Sequence, residues 1–323
     1  MVHEPAFVER FTQDLDALIA PDARLGIAVS GGPDSLALLL LAAAARPGLV
    51  QAVTVDHGLR PESRAEAQMV GRVCAKLGVF HQTLTAEWTK IPQTAIQERA
   101  RDERYRLLAA WAKDRGLDAV VTAHHLDDQA ETLLMRLARG AGVRGLSAMR
   151  RASTVPGSET RLLRPLLRWR RSELEQICAR AGVDPAADPS NEDPKYERVR
   201  IRDALAGSDW LDPQSLAASA DFLGDADTAL NWATRQEWDR AVTNGGAGIV
   251  YRPSDTPTEI RRRIVSEAVT RLDTEGEGNG LRGRELDRLL NTLTSGGTTS
   301  LRGVLCRGGD EWRFAAAPPR RRA

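Results

Sequence analysis

Three short polar clusters carry the chemistry open to this chain: SGGPDS at Ser30 to Ser35, VDHGLR at Val55 to Arg60, and AHHLDDQ at Ala123 to Gln129. In the first, Gly31 and Gly32 turn the chain out of one apolar run, and Pro33, Asp34 and Ser35 lead into another. Glycines let a backbone come close to a ligand, freed amides point inward, and a helix start favours negative charge, so this turn suits an anion such as phosphate. It lacks the lysine of GxxxxGK[ST], and no GxGxxG is present. Two other readings of the turn stay open on the residues alone. One is a capped strand-to-helix turn. The other is a hydrolase elbow, since Ala28 to Gly32 approximates GxSxG. An elbow requires a late histidine, and the five histidines (His3, His57, His81, His124 and His125) all precede Asp128.

The third cluster, His124, His125, Asp127, Asp128 and Glu131, invites a metal reading. Adjacent histidines diverge and no third soft ligand is suitably spaced, which argues against zinc. Carboxylates suit magnesium better. Asp127 and Asp128 also open a helix, where acidic residues are favoured as caps in any case.

Alternating elements must position these clusters. From Arg24 onward, short β-rich runs (RLGIAVS, LVQAVTVDH, VFHQTLTA, DAVVTAHH) alternate with longer helical ones, which predicts an α/β fold with a doubly wound, mostly parallel sheet. All three clusters fall directly after predicted strands, where such sheets bind ligands. A strand at RLLRPLL and a helix at SELEQICARAG follow, and DPSNEDPKYERVRIR reads as a loop entering a helix. Beyond Gly207 the composition changes, so the expected domains are 1–206 and 207–323, the second smaller and mainly helical. Within it Trp210, Trp232 and Trp238 fall on predicted helices, Glu259 to Arg271 reads as another, EGEGNG as a break, GGTTSLRGVLCRGGDEWRFAA as a hairpin, and PPRRRA as a frayed tail.

Composition narrows the classes. With 323 residues and a net charge of +1, the chain has neither the basic excess of a typical nucleic-acid binder nor a membrane-length apolar run. Only Lys76, Lys90, Lys113 and Lys195 among the 45 basic residues are lysines, so local basic chemistry is arginine chemistry. Arg136, Arg139, Arg144, Arg150, Arg151, Arg261, Arg262 and Arg263 could form a local patch for RNA. Cys74, Cys178 and Cys306 form no CxxC pair, which fits a reducing cytoplasm.

Ser30 to Ser35 match the SGGxDS loop of the ATP-pyrophosphatase superfamily, and further stretches narrow the resemblance. SGGPDSLALL, VDHGLR, ARDERYRLL, TAHHLDDQAETLLMRLARGAGVRGLSAM, RPLL and DPSNEDPKYERVRIR together resemble the tRNA(Ile)-lysidine synthetase family over residues 20–205. That resemblance implies an adenine nucleotide α-hydrolase-like sheet. It implies ATP and Mg2+ as cofactors, and tRNA(Ile) with a CAU anticodon and L-lysine as partners; the oligomeric state stays open, a homodimer being one alternative. Carried over, it assigns ATP binding to Ser30, Gly31, Gly32, Pro33, Asp34, Ser35, Asp56, His57 and His124, and magnesium to Asp34 and Asp127. It assigns catalysis to Asp34, Asp127, Asp128 and Arg101. Arg101, with Arg104 and Tyr105 on one helix, would clamp tRNA phosphate or shield the adenylate, and one of the paired aspartates would accept a proton from lysine. A tRNA thiolase of the same superfamily and an inactive tRNA-binding relative are the alternatives. The chain departs from the family pattern at Gln97, where an acidic residue is usual and Glu98 stands beside it, and its C-terminal part is shorter than in the longest members.

Overall fold

A computed structural model describes residues 4–58, 62–86, 96–186, 193–246, 248–273, 281 and 283–318. Leu59 and Arg60, the side chain of Gln97, Asp188 to Glu192, the EGEGNG break and most of the terminal PPRRRA lie outside the described residues. Contacts divide the chain into two units: Met1–Gly140 with Gly145–Asp221, and Ala141–Arg144 with Phe222–Ala323.

The first unit is built on a six-stranded sheet of β1 (Leu25–Ala28), β2 (Val50–Asp56), β3 (Phe80–Thr85), β4 (Ala119–Val121), β5 (Ala152–Thr154) and β6 (Arg161–Leu163). Strand order is β3-β2-β1-β4-β6-β5, parallel throughout except for the β5–β6 pair. Ile27 of β1 pairs in register with Ala52 and with Val121, so β1 is flanked by β2 and β4. The chain winds one way from β1 to β3 and the other way from β4, which makes a crevice at the carboxyl ends of β1 and β4.

Helices α1 (Pro5–Asp16), α2 (Pro33–Ala45), α3 (Glu62–Leu77), α4 (Ile96–Asp114) and α5 (Leu126–Ala138) cover the sheet, followed by the short α6 (Val143–Leu146), α7 (Arg171–Arg180) and α8 (Glu197–Ala206). α2 is central because Leu36 to Ala42 are all buried, and an all-round apolar helix has no polar face to give to solvent. On another face, Tyr105, Leu108 and Trp111 of α4 pack with Val120 and Leu162. Gly26 makes that contact possible: a Cβ there would sit 2.4 Å from the Trp111 ring.

The long α9 (Pro213–Ala241) runs across the division between units. The second unit adds α10 (Thr258–Leu272) and α11 (Gly283–Thr294) to a five-stranded antiparallel sheet of β7 (Val242–Gly245), β8 (Gly248–Tyr251), β9 (Thr298–Leu301), β10 (Val304–Arg307) and β11 (Trp312–Ala316). Its order is β7-β8-β11-β10-β9, so the expected terminal hairpin is β10–β11 within a larger sheet. Its core gathers Tyr251, Ile264, Val265, Leu293, Trp312 and Phe314. Trp232 and Trp238 lie on α9 as expected, whereas Trp210 precedes it in a bend and is exposed.

Candidate active site at the β1–β4 crevice

The glycine turn is shaped from within. Gly31 has φ +94°, a left-handed conformation that favours glycine, and Gly32 caps α2 with Pro33 in its first turn. The buried Ser35 hydroxyl accepts hydrogen bonds from the Ser30 and Gly31 amides at 3.1 and 3.2 Å and donates to the Gly32 carbonyl at 2.9 Å. Ser35 is thus engaged in holding the turn, while Ser30 is exposed at its mouth. Behind the turn, the Ala186 amide donates to the Gly31 carbonyl and the Cys178 thiol to the Pro33 carbonyl.

Across the crevice, His125 ends the β4 connection and caps α5, and the residue is 4% exposed. Its Nε2 lies 3.5 Å from Asp34 Oδ2 and 3.6 Å from Asp128 Oδ2, and its Nδ1 lies 3.6 Å from Asp127 Oδ2. Burial opposes its charge, but the contacts to Asp127 and Asp34, with the Asp128 charge, raise its pKa to about 10. Burial likewise opposes ionisation of Asp127, yet His125, the Arg171 amide and Arg170 hold its pKa down at about 2. The three predicted acids Asp34, Asp127 and Asp128 are therefore brought together, and a charged histidine is the hub between them. His125 carried no separate assignment in the sequence; an HH pair does not say which ring turns inward.

His124 faces elsewhere. Its ring nitrogen lies 3.0 Å from the Thr122 hydroxyl. Burial, aided by Arg164, Arg104 and Arg101 against the Asp128 charge, pushes its pKa to about 3, so it is neutral. Asp56 accepts hydrogen bonds from the Ser63 hydroxyl at 2.6 Å and the Gly58 amide at 2.8 Å, which lower its pKa and fix the turn leading to α3. Beside it, burial and then Arg104 lower the pKa of His57. Asp56 and His57 thus stand at the end of β2, next to the glycine turn. Arg101 contacts Tyr105 and makes no contact with the carboxylate cluster.

Sequence reasoning left Arg170 without a role, and read Glu131 only as part of the histidine and acid cluster. Arg170 pairs with Asp127 at 3.0 Å, and the buried Glu131 pairs with Arg202 at 2.8 Å and Arg198 at 3.3 Å. Glu131 is three and four residues beyond Asp128 and Asp127, the spacing that puts acids on one helix face. A cavity of about 430 Å³ opens here, lined in part by Asp127, Glu131, Arg170, Arg202, Trp210 and Leu211.

The expected arginine patch is largely consumed by internal pairing. Arg263 is buried between Asp227 and Glu259, so it belongs to a core and to no surface patch. Arg262 pairs with Asp287, Arg139 with Glu197 and Arg151 with Asp14, while Arg136 donates to the Gly145 and Ala148 carbonyls.

Among the described residues, no group of three or more His, Cys, Asp and Glu side chains is arranged to hold a metal by itself. Magnesium usually takes one or two carboxylates, with waters and substrate phosphates completing the shell. Asp34 fits that pattern: its Oδ1 is buried and has no hydrogen-bond partner, beside a turn shaped for phosphate.

Residues 4–208 match the family model of the PP-loop domain. The tRNA(Ile)-lysidine synthase of Novosphingobium aromaticivorans is 49% identical over 97% of this chain and 94% of its own length. That of Zymomonas mobilis is 44% identical over 93% and 90%, and that of a Bradyrhizobium strain 41% identical over 96% and 95%. Among solved structures, the U34-tRNA thiolase NcsA of Methanococcus maripaludis, with its [4Fe-4S] cluster, superposes with a TM-score of 0.56 at 15% identity. It covers 68% of this chain and 80% of its own, a likeness of fold alone. With a PP-loop domain over most of its first unit and such relatives along nearly its whole length, the chain belongs to the tRNA(Ile)-lysidine synthase family.

Proposed function

We propose that this chain converts the wobble cytidine of the CAU anticodon of an isoleucine tRNA to lysidine, using ATP and free L-lysine. The single observation that carries this is the convergence of Asp34, at the glycine turn, with Asp127 and Asp128 at the facing strand end. In the first step the cytosine C2 oxygen attacks the α-phosphorus of ATP and pyrophosphate leaves. The exposed Ser30 and the amides at the start of α2 bind the departing phosphates. Asp34 and Asp127 would hold magnesium, which when bound would supply positive charge against the departing pyrophosphate. His57 and Asp56, at the end of β2, border the adenosine. In the second step the lysine ε-amine attacks C2, a nearby aspartate accepts the amine proton, and AMP departs.

The cavity supports a free amino acid as the nucleophile: its lining holds the ion pairs Arg170–Asp127 and Arg202–Glu131, so both a guanidinium that suits a carboxylate and a carboxylate that suits an ammonium border it. Every group named comes from one chain, so the reading requires no second copy. Among the described residues no helix is long and apolar enough to cross a membrane, and the three cysteines are free, which together support a cytoplasmic reaction. Sulfur transfer is opposed by those same cysteines, all buried, with burial pushing each thiol up to about 12.

Asp34→Asn tests the site. RNA-dependent AMP release in the presence of lysine should fall at least about 100-fold, the usual loss when a group stabilising transition-state charge is removed. Release within a few-fold of wild type would remove Asp34 from the chemistry.

A further inference from the structure

Helix α7 begins on a residue that helix chemistry does not select. Its N-cap is Arg170, at a position that favours the short acceptor side chains of Ser, Thr, Asp and Asn. A guanidinium has no acceptor, and here it sets positive charge at the positive end of the helix dipole. The cap is completed from elsewhere, by Glu173, whose carboxylate accepts from the Arg170 amide at 2.7 Å. The Arg170 side chain makes no capping hydrogen bond and borders the cavity instead, with its Nη2 3.0 Å from Asp127 Oδ1. What the side chain faces, and not the helix it starts, accounts for an arginine at this position.

The two arginines that line the cavity are held differently. Arg202 donates through Nε to Glu131 at 2.8 Å, and Arg198 lies 3.3 Å from the same carboxylate. The Glu131 side chain is only 2% exposed, so both arginines are committed to a buried charge. Arg170 is 41% exposed in its side chain and meets Asp127 through Nη2, while its Nε is buried with no hydrogen-bond partner. Asp127 does not depend on that contact. Its Oδ2 accepts from the Arg171 amide at 2.8 Å and lies 3.6 Å from His125 Nδ1. Arg170 is thus the guanidinium that can leave its acid without stranding it.

The cavity sets the class of ligand. Its lining has four acids, Asp127, Glu131, Asp209 and Asp212, against the two arginines. That surplus opposes a plain anion, so a carboxylate is accepted only on a body that also carries cationic groups, as a dibasic amino acid does. A volume of about 430 Å³ admits a small ligand of that kind.

We propose that Arg170 receives the α-carboxylate of the incoming amino acid, exchanging its ion pair with Asp127 for one with the ligand. The inference rests on the proposed function, from which it takes lysine as the ligand, and it names the group that selects for a free carboxylate. Charge balances in the exchange. One guanidinium passes from one carboxylate to another, and Asp127, still held by the Arg171 amide and His125, is left to face an ammonium group of the ligand. An arginine suits the task because its planar fork meets both oxygens of a carboxylate.

The test is equilibrium binding to the full chain of labelled L-lysine and of labelled L-lysinamide, which keeps both amines and the side chain but has a neutral amide in place of the carboxylate. ATP is present throughout, and RNA-dependent transfer of each ligand is read in parallel. Wild type should prefer lysine. Arg170→Gln should weaken lysine binding about 10- to 100-fold, the range for loss of a hydrogen bond to a charged group, while lysinamide binds within about threefold of wild type. Arg170→Lys, which keeps the charge without the fork, should recover part of the loss for lysine and again leave lysinamide unaltered. A merely structural role would weaken both ligands alike; that outcome, or lysine binding unaltered in Arg170→Gln, overturns the assignment. So does a wild type that binds lysinamide as well as lysine. A wild type that binds lysine but transfers none to RNA contradicts the functional reading alone, and the binding ratios still decide Arg170. A wild type that binds neither ligand contradicts both.

Discussion

His125 is the residue on which the candidate active site turns. Three carboxylates converge on it, and without a positive centre they would repel one another in a poorly solvated crevice. His125→Gln removes that charge and keeps a polar side chain. In metal-free protein at pH 6.5 we expect it to cost about 3 kcal/mol in urea denaturation, the order found when one member of a buried ion pair is lost. The pH dependence has a definite sign. A histidine whose folded pKa is raised from 6.5 to about 10 contributes stability that is complete below pH 6.5 and is lost as the pH rises through 10. The gap between wild type and variant should therefore narrow across that window; a gap that widens would mean His125 is neutral. The sequence offered Asp34, Asp127 and Asp128 by motif and type, but nothing local in an HH pair distinguishes the buried hub from the neutral neighbour. Ring direction is set by β4, α5 and the facing turn.

At the scale of elements, a strand end, a turn and a helix start were legible together, because glycine, proline and apolar periodicity are local signals. SGGPDS falls where the sequence reading put it, after β1 and opening α2, and AHHLDDQ likewise joins β4 to α5. What the sequence did not disclose is how the turn is held. Ser35, carried over as an ATP-binding residue, uses its hydroxyl on two amides and a carbonyl of the turn. Ser35→Ala strips that set at once, and about 1–3 kcal/mol of stability should go with it, with ATP affinity falling because the amides lose their aim. An unchanged midpoint in thermal unfolding together with unchanged ATP affinity would show the hydroxyl to be dispensable. Arg164 was equally hidden: it lies 60 positions after Arg104, and only the sheet order brings both to Tyr105.

For the whole molecule, two cores imply separable roles. The strand and helix alternation of the first unit was legible because each element repeats a clear period. The second unit was only partly so, since its sheet pairs β8 with β11 across more than 60 residues and no local pattern announces that partnership. The expected boundary after residue 206 also differs from the contact division after Asp221, which falls inside the single helix α9. Ile264, fully buried in the second core, is the place to separate the roles. Ile264→Ala should destabilise that core by about 2–5 kcal/mol and leave ATP affinity unchanged; loss of ATP affinity in the folded variant would mean the units are not independent in binding. The most direct measurement for the central claim is transfer of labelled L-lysine to an isoleucine tRNA transcript bearing CAU, with mass analysis of the nucleoside product. Lysine incorporation is expected to require ATP and to release AMP and pyrophosphate in equal amounts. ATP cleavage with no lysine in the RNA, by folded wild-type protein, would contradict it.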